Sequence, residues 1–200
     1  DLLQSVFALL GFYLFVINQK TTKVWVFVLS GCLFGLMLCC NFKSIILLLA
    51  IFLFLLSEYY QKREARSLQI GLFIAIGVSL VYLVFGIYFY SQGALNDFLY
   101  YTTIFNFSLA GNRSYAYIGM QLTSLNFLKD FLLCSFTLLG VFSMQLKSSQ
   151  TRLLLLCTLL PIYGCFKGFF PYYCIIFLPF MSIFTANGVN NYLIKRKMSQ

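Results

Sequence analysis

Apolar residues in this chain fall into runs long enough to cross hydrocarbon, and that feature limits the available folds more than any other. The runs lie near 2–17, 24–40, 44–57, 68–90, 125–146, 153–166 and 169–194. A helix needs about 20 residues to span a bilayer core. Within lipid, only a helix satisfies every backbone N–H and C=O inside a single segment, apart from closed barrels. The expected fold is therefore all-α: a polytopic transmembrane helix bundle of about seven spans, with residues 1–200 as one membrane domain. The third and sixth runs are short, and Pro161 and Pro171 are expected to kink or break the last pair.

Composition closes off the soluble alternative. The 200 residues are 61% hydrophobic and 10% charged, against about 25% charged in soluble domains. Seven cysteines lie within or beside the apolar runs, with no CxxC and no histidine. An odd count without metal-ligand spacing points to cysteine as a small apolar packing residue rather than a disulfide framework or a zinc site. The chain opens on Asp1 and enters an apolar run at once, with no basic leader, and reads as a piece of something longer.

Charge supplies an orientation, because short cytoplasmic loops carry excess Lys and Arg. Lys20, Lys23, Lys62, Arg63, Arg66, Lys147, Arg152, Lys195, Arg196 and Lys197 follow alternate runs and are expected on the cytoplasmic side, ten of the fourteen cations. Lys43, Arg113, Lys129 and Lys167 are then outside, with Asp1, Asp97 and Asp130. The chain is expected to begin outside, in periplasm or lumen, and to end inside, with a bacterial inner (plasma) membrane as the expected location. The net charge of +9 is explained by this bias and by anionic lipid. No soluble basic domain is present to bind nucleic acid.

The longest polar stretch, 91–124, is an outer loop. Within it Leu95, Phe98, Leu99, Thr102, Phe105 and Leu109 recur at helical spacing, and Asn96 or Asp97 is placed to cap the start. This predicts an amphipathic helix over 95–109, flat on the outer leaflet, with Phe98, Phe105 and Leu109 toward the apolar side and Asn96 and Thr103 toward water. A plain connector with aromatic anchors is the alternative. Asn106-Phe107-Ser108 and Asn112-Arg113-Ser114 match the glycosylation sequon, a spacing that also arises by chance.

Three isolated outer cations are the candidate binding residues. Lys43 follows Asn41-Phe42 between two apolar runs with almost no loop, so it is either a lysine snorkelling to lipid phosphate or a ligand for a phosphate group. Lys167 sits in a second tight turn, Gly164-Cys165-Phe166-Lys167-Gly168, followed by Pro171-Tyr172-Tyr173, and this turn is placed to converge on Lys43. Tyr172 and Tyr173 line a substrate groove or belong to an aromatic belt. Arg113 is the one outer arginine, with a fork suited to phosphate. Gly31-Cys32-Leu33-Phe34-Gly35 has the GxxxG spacing that admits a neighbouring helix, read as packing within the bundle.

Taken in order, these segments resemble the type C glycosyltransferases, in the branch of bacterial aminoarabinose transferases and protein O-mannosyltransferases. The helix Gly31–Leu36 running into Asn41-Phe42-Lys43 is similar to their small-residue helix that ends in an outer lysine. Asp97-Phe98-Leu99-Tyr100-Tyr101 through Phe107 resembles their amphipathic outer helix. Lys167-Gly168-Phe169-Phe170-Pro171-Tyr172-Tyr173 with Leu178-Pro179-Phe180 looks like their basic and aromatic turn, with Tyr172 in place of the usual histidine. The resemblance implies transfer of a sugar from a polyprenyl-phosphate carrier to a lipid, glycan or protein on the outer face, with Lys43 as the best phosphate contact. It places the acidic base in a first outer loop upstream of the matched region, and allows at most a divalent metal as cofactor in the full-length enzyme. Two other classes remain open at this point. A lipid-linked glycan flippase would want polar groups near the midplane, and a non-catalytic membrane subunit would need no site at all.

Overall fold

The computed structural model describes residues 2–21, 23–41, 44–104 and 149–166, together with positions 180, 182, 183, 185, 186 and 190. Every element among them is helical. The chain divides into two units, Asp1–Asn112 and Arg113–Gln200. The first contains α1 (Leu2–Thr21), α2 (Val24–Cys40), α3 (Ile45–Lys62), α4 (Arg66–Ser91) and α5 (Leu95–Leu99), which continues into a π-helical turn over Tyr100–Ile104. In the second, α6 spans Ser149–Phe166.

Three of these helices, α1, α3 and α4, are long and apolar enough to cross a membrane, and α2 is a shorter apolar helix of 17 residues. What they leave uncovered fits the same conclusion. Leu72, Ile76, Leu80, Leu83, Val84 and Ile87 form an exposed apolar face on α4, far more than water would tolerate on a stable monomer. The chain is a helical membrane protein. The expected spans near 125–146 and 169–194 lie outside the described residues, apart from isolated positions.

The packing of the first unit starts from one seam. Gln4, Ala8, Gly11, Phe15 and Asn18 recur every three or four residues along α1 and are all buried, so they face the other helices. The Phe15 ring lies 6.4 Å from the rings of Phe27 on α2 and Phe54 on α3, joining three helices at one point. On α2, Phe34 fills the space above Gly11, where an added methyl carbon would stand 3.0 Å from the ring. Ser30 donates to the Gly11 carbonyl at 2.7 Å, a buried hydrogen bond between α1 and α2.

The closest approach is between α2 and α4. A methyl carbon on Gly77 would lie 2.1 Å from the Val28 carbonyl oxygen, and one on Gly31 would lie 2.2 Å from the Ile74 carbonyl oxygen. The two backbones touch, as small residues permit. Gly35 continues the contact against Val81. The GxxxG face of α2 therefore packs within the bundle, and its partner is α4.

Several boundaries differ from the sequence reading. The third run was expected to stop at 57, but α3 continues to Lys62. Glu58 is buried and pairs with Lys62 at 2.5 Å one turn later, so the polar residues remain in the helix. Arg63 then takes a left-handed conformation, φ 56°, and its amide closes the helix on the Tyr59 carbonyl. Nor does Pro161 end α6, which continues to Phe166. Pro171 lies outside the described residues.

At its far end α4 closes in the Schellman pattern, with Gly93 at φ 69° donating to the Tyr90 carbonyl and Ala94 to the Phe89 carbonyl. The reversal brings α5 back onto α4. Phe98 stacks on Phe89 at 4.8 Å and on Phe85 at 6.2 Å, with Tyr82 at 6.3 Å. The amphipathic stretch is thus helical over 95–104, while 105–109 lie outside the described residues. Two details change. Neither Asn96 nor Asp97 caps it, because the helix already begins at Leu95, leaving Asp97 in the first turn beside the positive end of the helix. And Phe98 meets the aromatic column of α4 instead of lipid. Aromatic pairs contribute about 0.5–1.5 kcal/mol each. Phe98→Ala is therefore expected to speed amide hydrogen exchange across 95–104 by roughly tenfold to a hundredfold; unchanged protection would mean that another contact holds α5.

Candidate functional site

The first unit has two unlike ends. At one, α1 closes, α2 opens, α3 closes and α4 opens. Asn18, fully buried, accepts from the Lys23 amide at 3.1 Å and donates to the Lys23 carbonyl at 2.6 Å, which fixes the α1–α2 turn. Arg66 reaches across to donate to the Gln19 carbonyl at 3.3 Å. Lys23, Lys62, Arg63 and Arg66 are all at this end, and Glu58 is its one buried carboxylate among the described residues. A cavity of about 310 Å³ opens there between α2 and α4, lined by Val24, Phe27, Arg66, Gln69, Ile70 and Phe73.

The opposite end is poor in charge and rich in aromatic and neutral polar groups. Gln4 donates to Ser44 across α1 and α3, and both are buried. Asn41 ends α2 with its amide on the Met37 carbonyl at 3.0 Å, and the Ser44 amide donates to the Asn41 carbonyl at 3.0 Å as α3 begins. The Tyr82 hydroxyl, next to Phe98, is buried with no hydrogen-bond partner among the described residues, an arrangement that costs energy unless something else satisfies it. Tyr88, Tyr90, Tyr100 and Tyr101 are exposed around the same end, as an aromatic belt would be.

The candidate residues read from the sequence, Lys43, Arg113, Lys167, Tyr172 and Tyr173, all lie outside the described residues, as do Lys129 and Asp130. What the structure adds are residues the sequence reading passed over. Ser30 makes an interhelical bond and Ser79 is exposed, while Gln4, Asn18 and Glu58 are buried polar groups within or at the ends of spans. Their signal was present: Gln4 and Asn18 are fourteen positions apart, which puts both on one helix face. Among the described residues no group of three His, Cys, Asp or Glu could hold a metal ion. The chain matches no protein-family model, no curated protein and no solved structure.

Proposed function

We propose that this chain is the membrane part of a glycosyltransferase that takes a sugar from a polyprenyl-phosphate carrier at its outer face, through about seven spans. The observation that carries the reading is the segregation of charge between the two ends of the first unit. Every described cation of that unit gathers at the Asn18–Arg66 end. In the sequence Lys43 lies between Asn41 and Ser44, two residues that the structure describes at the other end. An ammonium at a membrane boundary suits a phosphate arriving within the lipid leaflet. Cleavage of a sugar–phosphate bond puts charge on the departing phosphate, and a fixed cation stabilises that charge in the transition state. Lys43 is assigned the main contact, Arg113 and Lys167 supporting contacts, and Tyr172 and Tyr173 the groove wall.

The direct test uses the full-length protein in proteoliposomes with radiolabelled polyprenyl-phosphate sugars and a membrane extract as acceptor. Transfer of label from at least one donor is the expected result. Label that crosses the bilayer still attached to its carrier would instead make the protein a flippase. The orientation carries its own expectation, N-terminus outside and C-terminus cytoplasmic. In a cysteine-free background, Ser199→Cys should resist an impermeant maleimide in intact cells and react after lysis; labelling in intact cells would reverse the topology.

A further inference from the structure

We infer that the cavity at the cation-rich end is a binding site for one anionic phospholipid, with its headgroup phosphate on Arg66 and the upper part of an acyl chain along Phe27 and Phe73. This site is at the opposite end from Lys43 and does not depend on the proposed transferase activity.

The geometry divides the cavity into a polar rim and an apolar floor. Arg66 and Gln69 are exposed at the rim, Phe27 and Ile70 are buried in the wall, and Phe73 is half-buried deeper in. From Arg66 to Phe73 is seven residues of one helix, about 10 Å along its axis, which matches the step from a headgroup phosphate to the first acyl carbons. The guanidinium is also held in place. One of its N–H groups donates to the Gln19 carbonyl at 3.3 Å, which leaves the others of its five donors for phosphate oxygens. Both α2 and α4 begin at this end, so the positive ends of two helices face the same opening. Exposed Lys23 and Arg63 nearby make the local field positive, whereas Lys62 is neutralised by its pairing with Glu58.

Charge complementarity decides the occupant. A zwitterionic lipid brings its own cation to a rim that already holds an arginine and two helix N-termini. A soluble anion would leave the Phe27–Phe73 wall uncovered. An anionic diacyl phospholipid satisfies both halves, and basic pockets between membrane helices take such headgroups. Where this end faces the cytoplasm, as its cations predict, that leaflet carries the anionic lipid.

The full-length protein reconstituted in nanodiscs of mixed phosphatidylglycerol and phosphatidylcholine tests the inference, with bound lipid counted by native mass spectrometry. The wild type should retain phosphatidylglycerol preferentially. Arg66→Gln should reduce that preference about fivefold, the value of one basic residue near a membrane surface, with unchanged thermal stability because the side chain is exposed. Lys62→Gln, on the same end but outside the cavity, should change it little. Equal losses in the two variants would mean a diffuse surface potential with no site, and would overturn the inference. So would glycerol phosphate competing as well as short-chain phosphatidylglycerol, which would leave an anion site without a lipid groove.

Discussion

Gly77→Leu is expected to separate α2 from α4 and to abolish the folded state of the first unit. The site has no room for even one carbon. A methyl carbon at Gly77 would stand 2.1 Å from the Val28 carbonyl oxygen, 2.8 Å from the Cys32 amide nitrogen and 2.9 Å from the Gly31 carbonyl carbon. These are backbone atoms of a packed helix, so no side chain can rotate away to make space. Overpacking usually costs about 1–3 kcal/mol, and a clash between two backbones belongs at the top of that range or above it. Gly31→Leu should be equally damaging, since its own methyl carbon would meet the Ile74 carbonyl oxygen at 2.2 Å.

Two controls set the scale of that effect. Gly86 is on the same helix with nothing within 4 Å of the added carbon. Gly86→Leu should therefore be neutral or stabilising, since glycine inside a helix is worse than other residues by about 0.5–1 kcal/mol. Ser30→Ala removes the 2.7 Å bond to the Gly11 carbonyl and should cost about 0.6 kcal/mol, the average for such bonds between membrane helices. Thermal unfolding in detergent, followed by size-exclusion chromatography, reads all four. Equal behaviour of the Gly77 and Gly86 variants would show that the α2–α4 crossing does not hold the unit together.

If the protein is the proposed transferase, Lys43→Ala should reduce sugar transfer by the full-length protein roughly tenfold to a hundredfold, with normal expression and membrane insertion. A charge-assisted contact contributes about 1.5–3 kcal/mol, and each 1.4 kcal/mol is a factor of ten in rate. Lys43→Gln keeps the length and polarity of the side chain but not its charge, so it should lose most of the same activity. Initial rates at saturating and limiting donor separate two roles. A fall in kcat marks charge stabilised in the transition state, whereas a rise in KM alone marks ground-state binding of the carrier. Unchanged turnover in Lys43→Ala would reduce the lysine to an interfacial anchor.

The helices themselves were legible because lipid leaves a backbone so few choices. Runs near 2–17, 24–40 and 68–90 became Leu2–Thr21, Val24–Cys40 and Arg66–Ser91, with ends displaced by at most four residues. An apolar stretch of that length must be helical in a membrane, whatever packs beside it. The GxxxG of α2 was equally legible as a packing face, because two glycines on one side of a helix remove the same side chains in any surroundings. The helical spacing of Leu95, Phe98 and Thr102 likewise announced a helix.

Partner choice was not legible, because it depends on which surfaces meet in space. Gly77 has no glycine four residues away, so nothing local marked it as the other half of the α2 contact. Phe98 belongs to an apolar face, and lipid or protein would suit it equally; the reversal at Gly93 decided for Phe85 and Phe89. Glu58 looked like the start of a loop until burial and Lys62 kept it in α3. The Arg66 cavity needed the ends of α1, α2 and α4 to meet before it existed at all. The sequence by itself determined that the chain is helical, where its described membrane helices run, and which faces are small or apolar, since those follow from local composition and the periodicity of one helix. Only the tertiary structure decided which faces touch and which polar groups are buried together, because those contacts join residues far apart in the chain.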